Sequence, residues 1–193
     1  MVCNNVLLSA KTLDLIVRKR AWTLDFRGCW GTLPRASRLA CARVVTIHVI
    51  AGVALLVLNL AAGLLGAWCW YRVEPSTRFW QLLRAGQAAI VVQVVLGGLL
   101  LALGHKPGDD LHILYGALPL VVSFVAEQLR IGSADAILAA RDYDSAADVG
   151  ALSPEEQRVV VLSIVRREMG VMTVSCFVVV ALALRAATTA GAF

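Results

Sequence analysis

One uncharged stretch constrains the fold of this chain more than any other feature of its sequence. Residues 44–70 run for 27 positions without a formal charge. At a rise of about 1.5 Å per residue, a helix of that length reaches about 40 Å. The hydrocarbon core of a bilayer is about 30 Å thick and needs about 20 apolar residues to cross it. A helix that is apolar on every face for so long is typical of a membrane span and not of a soluble core.

Three further apolar runs follow the first. The composition agrees with them, because 59% of the residues are hydrophobic and only 16% are charged, against about a quarter charged in soluble domains. The sequence therefore predicts an all-α fold, an integral membrane four-helix transmembrane bundle. The predicted spans lie near residues 44–70, 85–104, 111–130 and 166–186.

The segments outside the spans divide the chain into a tail and a membrane domain. Residues 1–42 are predicted to form a basic tail, disordered or lying on the membrane surface, and residues 43–193 the transmembrane domain. The first apolar run is too long for a signal-peptide core, and no A-x-A site closes it. Loop 130–165 is predicted to be helical. Ser153 and Glu156 have the spacing of a capping box, so a helix should start there and continue into the fourth span.

The charges indicate orientation and partners. The net charge is +5, but the basic residues flank the apolar runs, which suits membrane anchoring and gives no sign of nucleic-acid binding. If the tail is discounted, the positive-inside rule places the first and third loops in the cytoplasm. The expected partners are the lipid bilayer and a membrane-protein partner or a second copy. Arginine greatly outnumbers lysine, which we interpret as GC-rich coding and a bacterial plasma membrane.

Two histidines are the strongest chemical signal. His48 lies just inside the first span and His112 just inside the third, and these spans run in the same direction. Each histidine is followed four residues later by a glycine, Gly52 or Gly116, on the same helical face. A glycine leaves room where a flat macrocycle would lie. The pattern is compatible with interhelical hydrogen bonds, with a metal or haem ligated by both imidazoles, or with a proton relay.

Haem b is the cofactor that this pattern favours if one is bound. Neutral imidazole nitrogens are common axial ligands of haem iron, and the apolar spans would enclose the ring. Haem propionates need cations at the interface. Arg43 and Lys106 precede the two histidines on that side and are the candidates for this role.

The layout resembles one four-helix half of haem A synthase, and more loosely the cytochrome b561-type bundles. The resemblance rests on the helix order and on His48 and His112, which are 64 residues apart. It implies haem ligation by histidines on alternate helices. The synthase pattern also has a glutamate one turn before a histidine, whereas Val44 and Val45 stand there in this chain. The resemblance therefore supports haem binding more than the synthase reaction.

Glu127 is the only carboxylate within an apolar run, and Arg130 lies three residues later on the same face. We interpret them as a buried ion pair, since a charge at such depth is costly without a partner. No P-loop, H-E-x-x-H or G-x-S-x-G motif is present, and the five cysteines form no CxxC pair. The leading hypothesis is a structural or accessory membrane protein without its own catalysis. The alternatives are a haem b protein and a small dimeric transporter that uses Glu127 and Gln93.

Overall fold

The computed structural model describes residues 35–105, 107–143 and 145–190, and the described part is built of helices joined by short turns. Residues 44–190 belong to one compact unit, whereas residues 35–43, the first turns of the first helix, belong to the unit before it. The tail predicted for residues 1–42 lies outside the described residues except for these helical turns. The described residues form six helices: α1 (Arg35–Arg72), α2 (Thr77–Ala102), α3 (Leu111–Ile131), α4 (Ser133–Ala139), α5 (Ala146–Gly150) and α6 (Pro154–Thr189).

Four of these helices, α1, α2, α3 and α6, are long and apolar enough to cross a membrane. The predicted all-α four-helix bundle is therefore confirmed, and the chain is a multi-pass membrane protein. In the most apolar stretch of α6, 44% of the residues are buried, against 11–17% in the other three helices. The lipid-facing sides of α1, α2 and α3 carry exposed valines, leucines and isoleucines, which suit hydrocarbon and not water.

The helix ends follow from local signals. Ser76 caps α2 by accepting a hydrogen bond from the Phe79 amide, so α2 begins eight residues before the predicted span. Asp109 accepts from the Leu111 amide at the start of α3. The capping box predicted at Ser153 is confirmed, and α6 continues from Pro154 through the fourth span without a break.

The four spans pack as a ring of antiparallel neighbours. On α1, the glycine at 66 faces Phe79 of α2, and also Thr173 of α6. Gln87 of α2 contacts Glu127 of α3, and α3 contacts α6 along its length. α1 and α3 therefore run parallel on one diagonal of the bundle, and α2 and α6 on the other.

Two buried clusters fill the interior. One contains Phe79, Leu83, Met169 and Met172 and lies towards the end where α2 begins. The other, built from Leu55, Ile90 and Val179, forms a layer closer to the opposite end. Small residues permit these close contacts, as expected where helices associate in lipid by packing alone.

Candidate functional site

The fold brings the two predicted histidines together. His48 on α1 and His112 on α3 lie across the diagonal of the bundle, with ring centroids 6.3 Å apart and ring planes inclined by 64°. Both side chains are half-buried. Their proximity follows from the parallel course of α1 and α3 and from the matched depth of the two residues.

A backbone carbonyl orients the ring of His112. Its Nδ1 lies 2.9 Å from the carbonyl oxygen of Ala186 on α6. A carbonyl can only accept, so Nδ1 carries the proton and Nε2 presents a lone pair. No hydrogen bond of His112 Nε2 occurs among the described residues. Ring N–H donation to a carbonyl is the arrangement that orients histidines which ligate metals through the other nitrogen.

His48 is held by an amide. Its Nε2 lies 3.2 Å from Nε2 of Gln93 on α2. Nδ1 of His48 and Oε1 of Gln93 are buried and have no hydrogen-bond partner in the described part of the chain. A half-turn of the amide would let Oε1 accept from a protonated Nε2, and the lone pair would then lie on Nδ1. Either way Nδ1 of His48 and one atom of the Gln93 amide stay unsatisfied, which in a buried site calls for an explanation.

The glycines near the histidines differ in their surroundings. A Cβ on Gly116 would meet nothing within 4 Å, and the same holds for Gly98 on α2. A Cβ on Gly97 would lie 3.4 Å from Cε1 of His48. A Cβ on Gly52 would lie 3.1 Å from the Gln93 amide nitrogen, so Gly52 makes room for this side chain. A Cβ would therefore meet open space at Gly116 and the Gln93 side chain at Gly52. The predicted roles of both glycines in making room for a macrocycle stay predictions.

The two cations expected to bind propionates stay predictions. Arg43 is exposed and belongs to the unit before Val44, and Lys106 lies outside the described residues. From the sequence, Gln93 is named only for the transporter alternative and is not placed beside His48. The Ala186 carbonyl could not be identified from the sequence either, because any residue supplies one.

A second polar cluster lies at the opposite end of α3. Glu127 accepts from Arg84 Nη1 at 2.6 Å, from Gln87 Nε2 at 2.7 Å and from Arg130 Nε at 2.8 Å. Arg130 also lies 4.0 Å from Glu168 on α6. The carboxylate side chain is 20% exposed, so the cluster is partly and not fully buried. Glu127 joins α2 to α3 and is well supplied with donors, and Arg130 extends the cluster to α6 through Glu168.

Within the described residues, no group of three or more His, Cys, Asp or Glu side chains is arranged to hold a metal ion. A metal at the histidine site would thus have two protein ligands and would need a further ligand set of its own, as a porphyrin provides. Comparison of the chain with protein-family models, curated proteins and solved structures found no match.

Proposed function

We propose that this chain is a haem b membrane protein, serving electron transfer or haem handling, in which His48 and His112 would hold the haem iron. One observation carries the proposal: the imidazole centroids are 6.3 Å apart. A nitrogen ligand lies about 2.0–2.1 Å from its metal, and a ring with bonds of about 1.33 Å has its nitrogens about 1.1 Å from its centre. Two imidazoles bound to one iron could therefore have centroids about 6.3 Å apart, so His48 and His112 are close enough to hold one iron.

The hydrogen bonds support the same assignment. In this pair of histidines, Nδ1 of His48 and Nε2 of His112 have no hydrogen-bond partner among the described residues. Each histidine has one nitrogen held, by Gln93 or by the Ala186 carbonyl. Either imidazole nitrogen can serve as a metal ligand. The porphyrin would supply the four remaining iron ligands and one-electron redox chemistry, while the bundle would hold the ring in an apolar environment.

A structural or accessory role without chemistry is the competing candidate. Its support is that each histidine already joins two helices, α1 to α2 and α3 to α6. In that case the histidines would only stabilise the bundle, and interhelical hydrogen bonds of this kind contribute about 0.6–2 kcal/mol each.

The absorbance spectrum of the purified protein separates the two candidates. The chain should be produced in haem-supplemented cells and purified in mild detergent. Haem binding should give about one haem per chain and a Soret band that sharpens on reduction. Because both ligands serve one iron, His48→Ala and His112→Ala should each remove most of the haem, and the double variant should be no worse than either single one.

His105→Ala is the matched control, since it removes the remaining histidine outside the pair and should leave the spectrum unchanged. A colourless wild-type protein would refute the haem proposal. Small, additive losses of thermal stability in the two single variants, with no spectral change, would then favour the structural role.

A further inference from the structure

An apolar groove runs between α3 and α6, at the end of the bundle away from the histidines. It has a volume of about 600 Å³, within the range of about 300–1,000 Å³ typical of ligand pockets. Six of its thirteen lining residues are valines, among them Val125 and Val174, which are 48% and 54% exposed. The groove therefore opens sideways, towards the acyl chains of the bilayer.

Two arginines stand at one end of this groove. Arg166 and Arg167 line it and are exposed, and neither forms an ion pair or hydrogen bond within the described part of the chain. The neighbouring Arg84 and Arg130 differ, because both are ion-paired with Glu127. The groove thus ends in two positive charges that the protein itself does not compensate.

The level of these arginines suits a lipid phosphate. Trp70 also lines the groove and packs on Gly170, about one helical turn from the arginines. Tryptophan is enriched at the membrane–water interface, where lipid headgroups lie. The groove follows α6 from Arg166 to Val178, a length of about 18 Å that leads into the apolar region. An apolar channel with cations at the interfacial end complements an acyl chain attached to an anionic headgroup.

We propose that this groove binds one anionic phospholipid from the surrounding leaflet. The acyl chain lies against the valines of α3 and α6, and Arg166 and Arg167 bind the phosphate. Arginine suits this task because its planar N–H donors match phosphate oxygens in pairs. A zwitterionic lipid carries a compensating cation in its headgroup, so the two arginines favour a lipid with net negative charge.

Lipid titration of the full chain, followed by native mass spectrometry from detergent micelles, tests this proposal. The probes are phosphatidylglycerol and phosphatidylcholine with the same acyl chains. A basic residue near an anionic headgroup contributes about fivefold in affinity, so the two arginines should give a preference of about 25-fold for phosphatidylglycerol. Glycerol phosphate, which lacks acyl chains, should not compete with it.

The variants separate the headgroup from the groove. Arg166→Gln and Arg167→Gln should each lower the preference about fivefold, and the double variant should bind both lipids alike. Val174→Trp should weaken the binding of both lipids, because the larger side chain fills the groove. Arg158→Gln and Val161→Trp are matched controls on exposed positions of α6 outside the groove, and they should change neither affinity.

Several outcomes would overturn the proposal. Equal wild-type affinity for the two lipids would mean that the arginines do not select the headgroup. Competition by glycerol phosphate would show that acyl-chain contacts in the groove contribute nothing to the affinity. The wild-type protein could also prove to be a dimer that Val174→Trp converts to a monomer, with no change in lipid retention. That result would show that the groove is an interface between two copies of the chain.

Discussion

Gly66→Ala should destabilise the bundle by about 2 kcal/mol, although it adds a single methyl group. Gly66 is buried at the place where α1 meets both α2 and α6. A Cβ there would lie 2.5 Å from a ring carbon of Phe79 and would also collide with the hydroxyl of Thr173. Phe79 is fully buried and Thr173 only 2% exposed, so neither side chain has room to move away.

The magnitude is the difference between two effects. Overpacking of a tight core costs about 1–3 kcal/mol, and a contact this short with a fixed aromatic ring belongs at the upper end. Replacing glycine by alanine within a helix gains about 1 kcal/mol. The net loss is therefore about 2 kcal/mol.

Gly98→Ala is the matched control, because a Cβ on this exposed glycine of α2 meets nothing within 4 Å. It should keep the helix-propensity gain of up to about 1 kcal/mol. The two variants should thus differ by about 3 kcal/mol in reversible unfolding by a denaturing detergent, followed by circular dichroism. Equal stabilities of the Gly66 and Gly98 variants would refute this account of the packing between α1, α2 and α6.

Two further predictions concern the charged cluster and the topology. Glu127→Gln should lower the free energy of unfolding by about 2 kcal/mol, because it leaves two arginines without their shared carboxylate. Glu168→Gln should lower the free energy of unfolding by less than about 1 kcal/mol, since the one ion pair of Glu168 spans 4.0 Å. Detergent unfolding of both variants measures the difference, and equal losses would contradict it. In a cysteine-free background, Ser145→Cys and Asp109→Cys should be labelled from opposite sides of the membrane, with Ser145 on the cytoplasmic side. Labelling of both from one side would contradict the four-span topology.

The sequence predicts the membrane spans well because a charge-free run of 20 residues has few other stable environments. The start of α6 is also readable, since the capping box at Ser153 is a local signal. The end of α1 cannot be read from the sequence. Val73 follows α1 with φ 57°, a conformation that glycine usually adopts after a helix, so a β-branched valine does not signal the end. The short helix α5 lies within loop 130–165, which is predicted to be helical, but the sequence does not give the bounds of α5.

From the sequence, the approach of the two histidines could be predicted only to the level of helix faces. The shared direction of α1 and α3, together with the matched depths, predicts that His48 and His112 approach each other. Which atoms form hydrogen bonds with the two histidines depends on the rotation and the axial position of α2 and α6 in the bundle. Gln93 meets His48 only because α2 presents that face at that height, and the Ala186 carbonyl depends on the length of α6 beyond the fourth span.

The two proposals concern opposite ends of the bundle. On α3, His112 lies nine residues, about 13 Å along the helix, from Val121, the groove residue nearest to it on that helix. An apolar layer that includes Ile90 lies between the histidine site and the other end. A haem held by the histidines would therefore neither contact the lipid groove nor feel its arginines, since sites this far apart without shared partners act additively. Haem content and lipid preference thus report on separate sites, and a single substitution that abolished both would indicate a general loss of the fold.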